Sequence, residues 1–273
     1  MRRILSHTCI LFTSVLIAAF VIDTVEGRTN QGKMKKKKPF TSRLQRVRAT
    51  AMKTSRITFP TSDGVTIVGD WYAVDRPKGA VLFLHMMPAV RGSWKSLAQE
   101  LQKQQIMSLA IDLRGHGEST NKGGLDYTTF SDAEQQQTRL DVAAAVAWLK
   151  AKGAKEQKII LVGASIGANL AIEYSAAHKA IPGVAVLSPG LDYHGVVTEP
   201  AARLLQSSQK LFLAASAPDD QYSYDTIVAL AAATKAQVTK QALTNRGHGT
   251  EMTDSDQKLS KTLIQWIITT LRR

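Results

Sequence analysis

The stretch KIILVGASIGANLAI (158–172) constrains the fold of this chain more than any other part of the sequence. Its first residues form an apolar run that is typical of a buried strand, and its last residues are typical of a helix. Between them, Gly163 and Gly167 flank Ser165 where the backbone has to turn sharply from strand to helix. The stretch therefore predicts a strand–turn–helix unit with a serine at the N-terminus of its helix.

The rest of the chain from Arg56 onward alternates strand and helix patterns. A hairpin is predicted around Ser62-Asp63-Gly64, and strands are predicted at 80–85, 108–112, 158–163, 184–189, 210–216 and 236–243. Helices are predicted at 93–104, 131–153, 168–179 and 255–271, the second of them opened by a capping box of Ser131 and Glu134. Such an alternation predicts a three-layer α/β/α fold around a mostly parallel sheet of about eight strands.

Ser165 is the candidate nucleophile. In the pattern G-x-S-x-G, placed between a strand and a helix, the serine hydroxyl stands on a sharp turn, and the amide groups at the start of the helix can face an anion. The alternative is a tight turn whose serine merely caps the helix. A serine hydroxyl is weakly nucleophilic at neutral pH, so catalysis would need a base elsewhere in the chain.

His248 fits the base, because it follows the last predicted strand, lies between two glycines and precedes the C-terminal helix. The acid that orients such a histidine is expected in the loop after the strand at 210–216, where Asp219 and Asp220 are adjacent. Asp220 is favoured because the acid usually precedes the short turn into the next helix, and Asp219 is the alternative. The histidines show no spacing typical of metal ligands, and no metal or organic cofactor is expected.

Three motifs together resemble the α/β-hydrolase superfamily: GASIG at 163–167, IDLRGHGES at 111–119 and GHGT at 247–250. The resemblance covers about residues 56–273. It implies a serine hydrolase that cleaves a carboxylic ester or thioester, or a peptide, through an acyl-enzyme on Ser165 with Asp220 and His248. A competing interpretation is a hydrolase-fold binding protein without activity.

The resemblance also implies an oxyanion hole made of two backbone amides. One is the N–H of Ile166, and the other comes from the loop after the first predicted parallel strand. This chain departs from the pattern there, because it reads His85-Met86-Met87-Pro88 where relatives usually have His-Gly. Pro88 has no N–H to donate. The donor is therefore expected to be Met87, with Met86 as the alternative, and the two side chains would form a pliable apolar wall.

Relatives often carry a cap domain in the segment that here runs from Gly190 to Lys210. This segment has only about twenty residues, enough for one short helix near 200–206. A rather open site is therefore expected, which suits small or medium esters or acyl chains presented on a larger carrier. By the same resemblance, His85 and His116 are structural, and His194 is a candidate for substrate contact at the entrance.

Residues 1–27 resemble an export signal. Two arginines precede an apolar run at 9–22, and Val25 and Gly27 are small enough for a cleavage site. The run of 14 residues is short for a bilayer span, which needs ~20. Export to the periplasm or the medium is predicted, with a retained membrane anchor as the alternative, although the positive charges that follow favour keeping that flank in the cytoplasm.

Residues 28–55 form a basic linker. Eleven units of the net charge of +13 belong to residues 28–58, residues 1–27 are neutral, and the rest of the chain therefore carries only +2. A folded domain that binds nucleic acid would carry its basic residues on its own surface, so nucleic acid is not expected as a partner. The linker could bind an anionic membrane surface or another polyanion, and the competing interpretation is a solvated linker.

Overall fold

The computed structural model describes residues 53–272, and ten strands are present in that range. They are β1 Lys53–Pro60, β2 Thr66–Ala73, β3 Gly79–Leu84, β4 Ile106–Ile111, β5 Ile159–Ala164, β6 Gly183–Leu187, β7 Asp192–Tyr193, β8 Val196–Val197, β9 Lys210–Ala217 and β10 Gln237–Thr244. Eight of these form one sheet in the order β1-β2-β4-β3-β5-β6-β9-β10, and β7 and β8 form a separate ribbon. The pairs β1–β2 and β2–β4 are antiparallel and the others in the large sheet are parallel, as the sequence predicts.

Eight α-helices connect these strands within the described range. They are α1 Lys95–Lys103, α2 Asp132–Gln136, α3 Thr138–Ala151, α4 Ile166–Ala177, α5 Thr198–Leu204, α6 Gln221–Ala233, α7 Glu251–Ser255 and α8 Gln257–Leu271.

The sheet is covered on both faces, which gives the three-layer architecture. Successive residues of β3 point to opposite faces, so Leu82 packs in a cluster with residues of α3, α4 and α6, whereas Phe83 packs in a second cluster with residues of α1 and α8. Both side chains are fully buried. The central strands are apolar along their whole length because both of their faces are covered.

One predicted element differs from the structure, and the β7–β8 ribbon was not predicted. The single helix expected at 131–153 is wrong: the capping box of Ser131 is present, but α2 and α3 are separated at Gln137. The N–H of Gln137 bonds to the carbonyl of Glu134, and the N–H of Leu140 bonds to Gln137, so the chain tightens into i→i−3 bonds at this point. The ribbon of β7 and β8 has strands of two residues, too short for any periodic pattern.

The predicted export signal at 1–27 lies outside the described residues, and so does the basic linker apart from its last three residues, which belong to β1. Within residues 53–272, no helix combines the length and the apolar character needed to cross a bilayer.

Candidate active site

Ser165 stands on a strained turn between β5 and α4. Its φ of 52° and ψ of −122° are outside the regions that a residue with a side chain prefers. The two glycines of the motif allow this turn, because a Cβ at Gly163 would collide with the carbonyl oxygen of Gly167, and a Cβ at Gly167 would collide with that of Leu84. Close packing therefore requires glycine at both positions of the pattern G-x-S-x-G. The turn places the serine at the carboxyl end of β5.

His248 and Asp220 meet at the same edge of the sheet, where β9 and β10 end. His248 Nδ1 and Asp220 Oδ2 are 2.9 Å apart, and the Asp220 side chain is only 10% exposed. Burial raises the pKa of Asp220, but hydrogen bonds from His248 and Ser188 outweigh it and hold that pKa below its usual value. Asp220 thus keeps the negative charge that stabilises a protonated His248.

The histidine loop also reaches the nucleophile turn. A Cβ at Gly249, the residue after His248, would lie 3.3 Å from the Cβ of Ala164, the residue before Ser165. The N–H of Gly249 donates to Ser188 Oγ at 2.8 Å. The structure therefore brings His248 next to the turn that carries Ser165, with Asp220 behind the imidazole.

Asp219 has a different position from Asp220. Its Oδ1 accepts a hydrogen bond from Ser216 Oγ at 2.7 Å, and its Oδ2 accepts one from the backbone N–H of Gly247 at 2.6 Å. Ser216 Oγ in turn accepts from the N–H of Arg246 at 2.8 Å. Asp219 and Ser216 therefore join the end of β9 to the loop that carries the histidine.

The loop after β3 lies against the first turn of α4. His85 Nε2 accepts the N–H of Leu113, so its proton is on Nδ1, which donates to the carbonyl oxygen of Met86; both distances are 2.9 Å. Because the peptide between Met86 and Met87 is trans, the N–H of Met87 points opposite to that carbonyl and away from the buried His85 ring. This orientation keeps the Met87 amide from hydrogen-bonding to the His85 ring, and its role as an oxyanion donor stays a prediction.

The two methionine side chains line opposite sides of this loop. Met86 Sδ accepts from Thr250 Oγ1 at 3.8 Å and fills the space that a Cβ at Gly249 would need. Met87 Sδ accepts from Gln135 Nε2 at 3.9 Å, on α2. Both side chains are half-buried.

The other two histidines that the sequence singles out, His116 and His194, contact neighbouring side chains. His116 is buried, stacks on Tyr127 with centroids 3.8 Å apart and contacts the His85 ring at 4.8 Å. His194 is in the turn of the β7–β8 ribbon, where Nδ1 lies 2.9 Å from Asp132 Oδ1. The ring of His194 therefore contacts α2, and substrate contact by this residue stays a prediction.

Three residues near the site were not predicted from the sequence. Ser188 connects Asp220 to the histidine loop, Asn169 follows Ser165 by one helical turn, and Tyr193 hydrogen-bonds close to the nucleophile. Ser188 could have been noticed as a polar residue at the carboxyl end of an apolar parallel strand, which is where sites form in such sheets. Nothing in the sequence pattern distinguishes the other two.

This sheet, with a serine on the turn after a central strand and a histidine–aspartate pair at the same edge, defines an α/β hydrolase. A family model described as serine aminopeptidase, S33, matches residues 75–268, and the chain belongs to that family. The AB hydrolase superfamily protein YisY of Bacillus subtilis is 32% identical over 120 residues. That match spans 44% of this chain and 39% of the length of YisY.

Solved structures share the fold. A dienelactone hydrolase from Anabaena variabilis has a TM-score of 0.66 at 15% identity and covers 80% of this chain and 98% of its own. A thermostable carboxyl esterase from Bacillus coagulans has a TM-score of 0.66 at 13% identity, with coverages of 81% and 99%. An esterase from Pyrococcus furiosus has a TM-score of 0.61 at 18% identity, with coverages of 81% and 92%.

Proposed function

We propose that this hydrolase cleaves small or medium carboxylic esters or thioesters by acyl transfer through Ser165, His248 and Asp220. The observation that carries the proposal is the 2.9 Å contact between His248 Nδ1 and Asp220 Oδ2 beside the strained turn of Ser165. A binding protein of the same fold would have no need for a strained serine and an oriented histidine at the same sheet edge.

In this mechanism, Ser165 Oγ attacks the carbonyl carbon and its proton passes to His248 Nε2. The tetrahedral oxyanion accepts hydrogen bonds from the backbone N–H groups of Ile166 and Met87, each worth ~3 kcal/mol of transition-state stabilisation. His248 then returns the proton to the leaving alcohol or thiol as the carbon–oxygen or carbon–sulfur bond breaks. Water, deprotonated by His248, attacks the acyl-enzyme and releases the carboxylic acid and Ser165.

The entrance to the site is expected to be open, because no cap domain interrupts the segment between β6 and β9, which holds the β7–β8 ribbon and α5. The family description names an aminopeptidase, so peptide cleavage is the competing activity within the same chemistry. A peptidase of this kind needs a site for a free amino group, and the test must therefore include aminoacyl substrates.

The test is active-site labelling of the full chain with a fluorophosphonate probe, followed by kinetics on p-nitrophenyl acyl esters and aminoacyl p-nitroanilides. Ser165→Ala is the matched variant. Labelling and ester hydrolysis by the wild type, both lost in Ser165→Ala, are expected. No labelling of a folded wild-type protein would overturn the acyl-transfer mechanism, and cleavage of anilides with no ester turnover would replace the esterase by a peptidase.

We also propose that the N-terminal segment exports the protein and that residues 28–55 hold it at an anionic membrane surface, since each Lys or Arg near such a surface contributes ~1 kcal/mol. Sedimentation with anionic and neutral vesicles tests this. Replacement of Lys35, Lys36, Lys37 and Lys38 by Gln is expected to weaken binding to anionic vesicles and to leave ester hydrolysis unchanged; equal binding by both forms would contradict the tether.

A further inference from the structure

The ribbon of β7 and β8 places an aromatic side chain beside the nucleophile. Tyr193 OH and Ser223 Oγ are 3.4 Å apart, and the Ser165 hydroxyl is a second hydrogen-bonding neighbour of the same phenol. Burial raises the pKa of Tyr193 above its usual value, so the phenol is neutral. Because Tyr193 hydrogen-bonds Ser165, its side chain occupies part of the volume beside Ser165 Oγ, the atom that would carry the acyl group.

The Tyr193 ring is fixed in this position by its surroundings. A Cβ on Gly190 would lie 2.6 Å from atoms of the ring, so the glycine makes room for it. The ring also meets Tyr222 edge to face, with centroids 5.9 Å apart. The phenol therefore cannot move toward α6 or toward the start of the ribbon without displacing other groups.

The ribbon itself is attached to the helix that carries Ser165. Asn169 is fully buried on α4, and its side-chain amide donates to the carbonyl of Val196 at 2.7 Å and accepts from the N–H of Gly190 at 3.1 Å. The NH2 group and the carbonyl oxygen of the Asn169 side chain thus both join the ribbon to α4. The distance between Tyr193 and Ser165 is consequently set by a rigid element rather than by a loop.

Two further attachments secure the ends of the ribbon. On one side, His194 Nδ1 contacts Asp132 Oδ1 at 2.9 Å on α2. On the other, the hydroxyl of Tyr222 on α6 accepts from the N–H of Asp192 at 3.2 Å. The turn His194-Gly195 has φ of 53° and 76°, which is the two-residue turn that matches the twist of paired strands.

We propose that Tyr193 determines the acyl-chain specificity of this site: its fixed phenol limits the space beside Ser165, so that acetyl and butyryl groups are accepted and longer acyl chains are excluded. This inference rests on the proposed function and names the substrate class of the same site.

The experiment compares kcat/KM for p-nitrophenyl acetate, butyrate and octanoate in the full chain and three variants. Tyr193→Ala and Tyr193→Val remove the ring, and Val also preserves a residue suited to a strand. Tyr193→Phe retains the ring and removes the hydroxyl. We expect the wild type to prefer acetate or butyrate, and the octanoate-to-acetate ratio to rise by about tenfold or more in the Ala and Val variants.

Tyr193→Phe is expected to keep the wild-type ratio within about twofold, because ring volume rather than the hydroxyl sets the limit. Circular dichroism and thermal unfolding show which variants are folded, and the Val variant decides if the Ala variant is not. An unchanged ratio in a folded, active variant without the ring would overturn the inference and leave the esterase function standing. A wild type that hydrolyses no ester and takes no fluorophosphonate label would instead overturn the proposed function.

Discussion

Asp219 Oδ2 accepts a 2.6 Å hydrogen bond from the backbone N–H of Gly247, the residue immediately before the candidate base. Asp219 is adjacent in sequence to Asp220, and both carboxylates contact the histidine loop, but only Asp220 contacts the imidazole itself among the described residues. The two positions therefore separate two tasks: one holds the loop, and the other orients and charges the ring.

Asparagine substitutions at these two positions are expected to differ strongly. Asp220→Asn removes the charge behind His248 and can hold the wrong imidazole tautomer, so kcat should fall by about 10³- to 10⁴-fold. Asp219→Asn keeps an oxygen acceptor for the loop, and its kcat should fall by about tenfold or less. Steady-state kinetics on one ester measures both. Equal losses in the two variants would show that Asp219 also acts on the ring.

The two glycines of the serine turn should tolerate no side chain. Gly163→Ala and Gly167→Ala would each place a Cβ against a backbone carbonyl oxygen that cannot move independently, so the free energy of unfolding should fall by about 3 kcal/mol or more. Gly92→Ala is the matched control, because a Cβ there meets open space. Urea unfolding of the three variants gives the values. A Gly167→Ala protein as stable as Gly92→Ala would contradict the packing argument.

The order and type of the main strands could be predicted because the parallel strands are apolar runs bounded by turn residues. The break between α2 and α3 could not, since no glycine or proline marks it and only the local bonding changes at Gln137. The β7–β8 ribbon was missed for another reason. Its pairing depends on the buried amide of Asn169 and on contacts with α2 and α6, which are distant in sequence.

The candidate site shows the same division. Ser165 and His248 could be proposed from local motifs, because the serine turn needs glycines on both sides and the histidine has to follow the last strand. The sequence favours Asp220 over Asp219 only because the acid usually precedes the turn into the next helix, and a difference of one residue at the end of β9 decides which carboxylate faces the ring. The proximity of Tyr193 to Ser165 could not be predicted from the sequence, because it depends entirely on tertiary packing.

Asn169→Asp should release the ribbon without changing side-chain size. A carboxylate cannot donate to the carbonyl of Val196, and it would be buried as a charge beside that oxygen, so the variant should lose about 2 kcal/mol or more of stability. Hydrogen exchange of the Val196 and Gly190 amides, together with urea unfolding, measures the effect. Unchanged exchange and stability would show that the ribbon holds without this amide.

His85 should make the folded protein less stable as the pH falls. Burial lowers the pKa of His85 from 6.5 to about 3 in the folded state. Below pH 6.5 the unfolded chain therefore takes up a proton that the folded protein excludes until the pH approaches 3. The contribution of His85 to the free energy of unfolding decreases over that window by up to about 1.4 kcal/mol per pH unit.

His85→Gln tests this, because an amide can still donate to the Met86 carbonyl or accept from Leu113 but does not titrate. Urea unfolding at several pH values between about 7 and 4 gives the slope of stability with pH for both proteins. This slope measures how many protons the chain takes up when it unfolds. The wild type should take up close to one proton more than the variant, whatever the stability of the variant at neutral pH.

His85 also orients the Met86–Met87 peptide. In His85→Gln, kcat should therefore fall while KM changes little, as loss of an oxyanion donor predicts. Parallel pH slopes would mean that His85 is protonated in the folded protein, and an unchanged kcat would mean that the imidazole is not needed to orient the Met86–Met87 peptide.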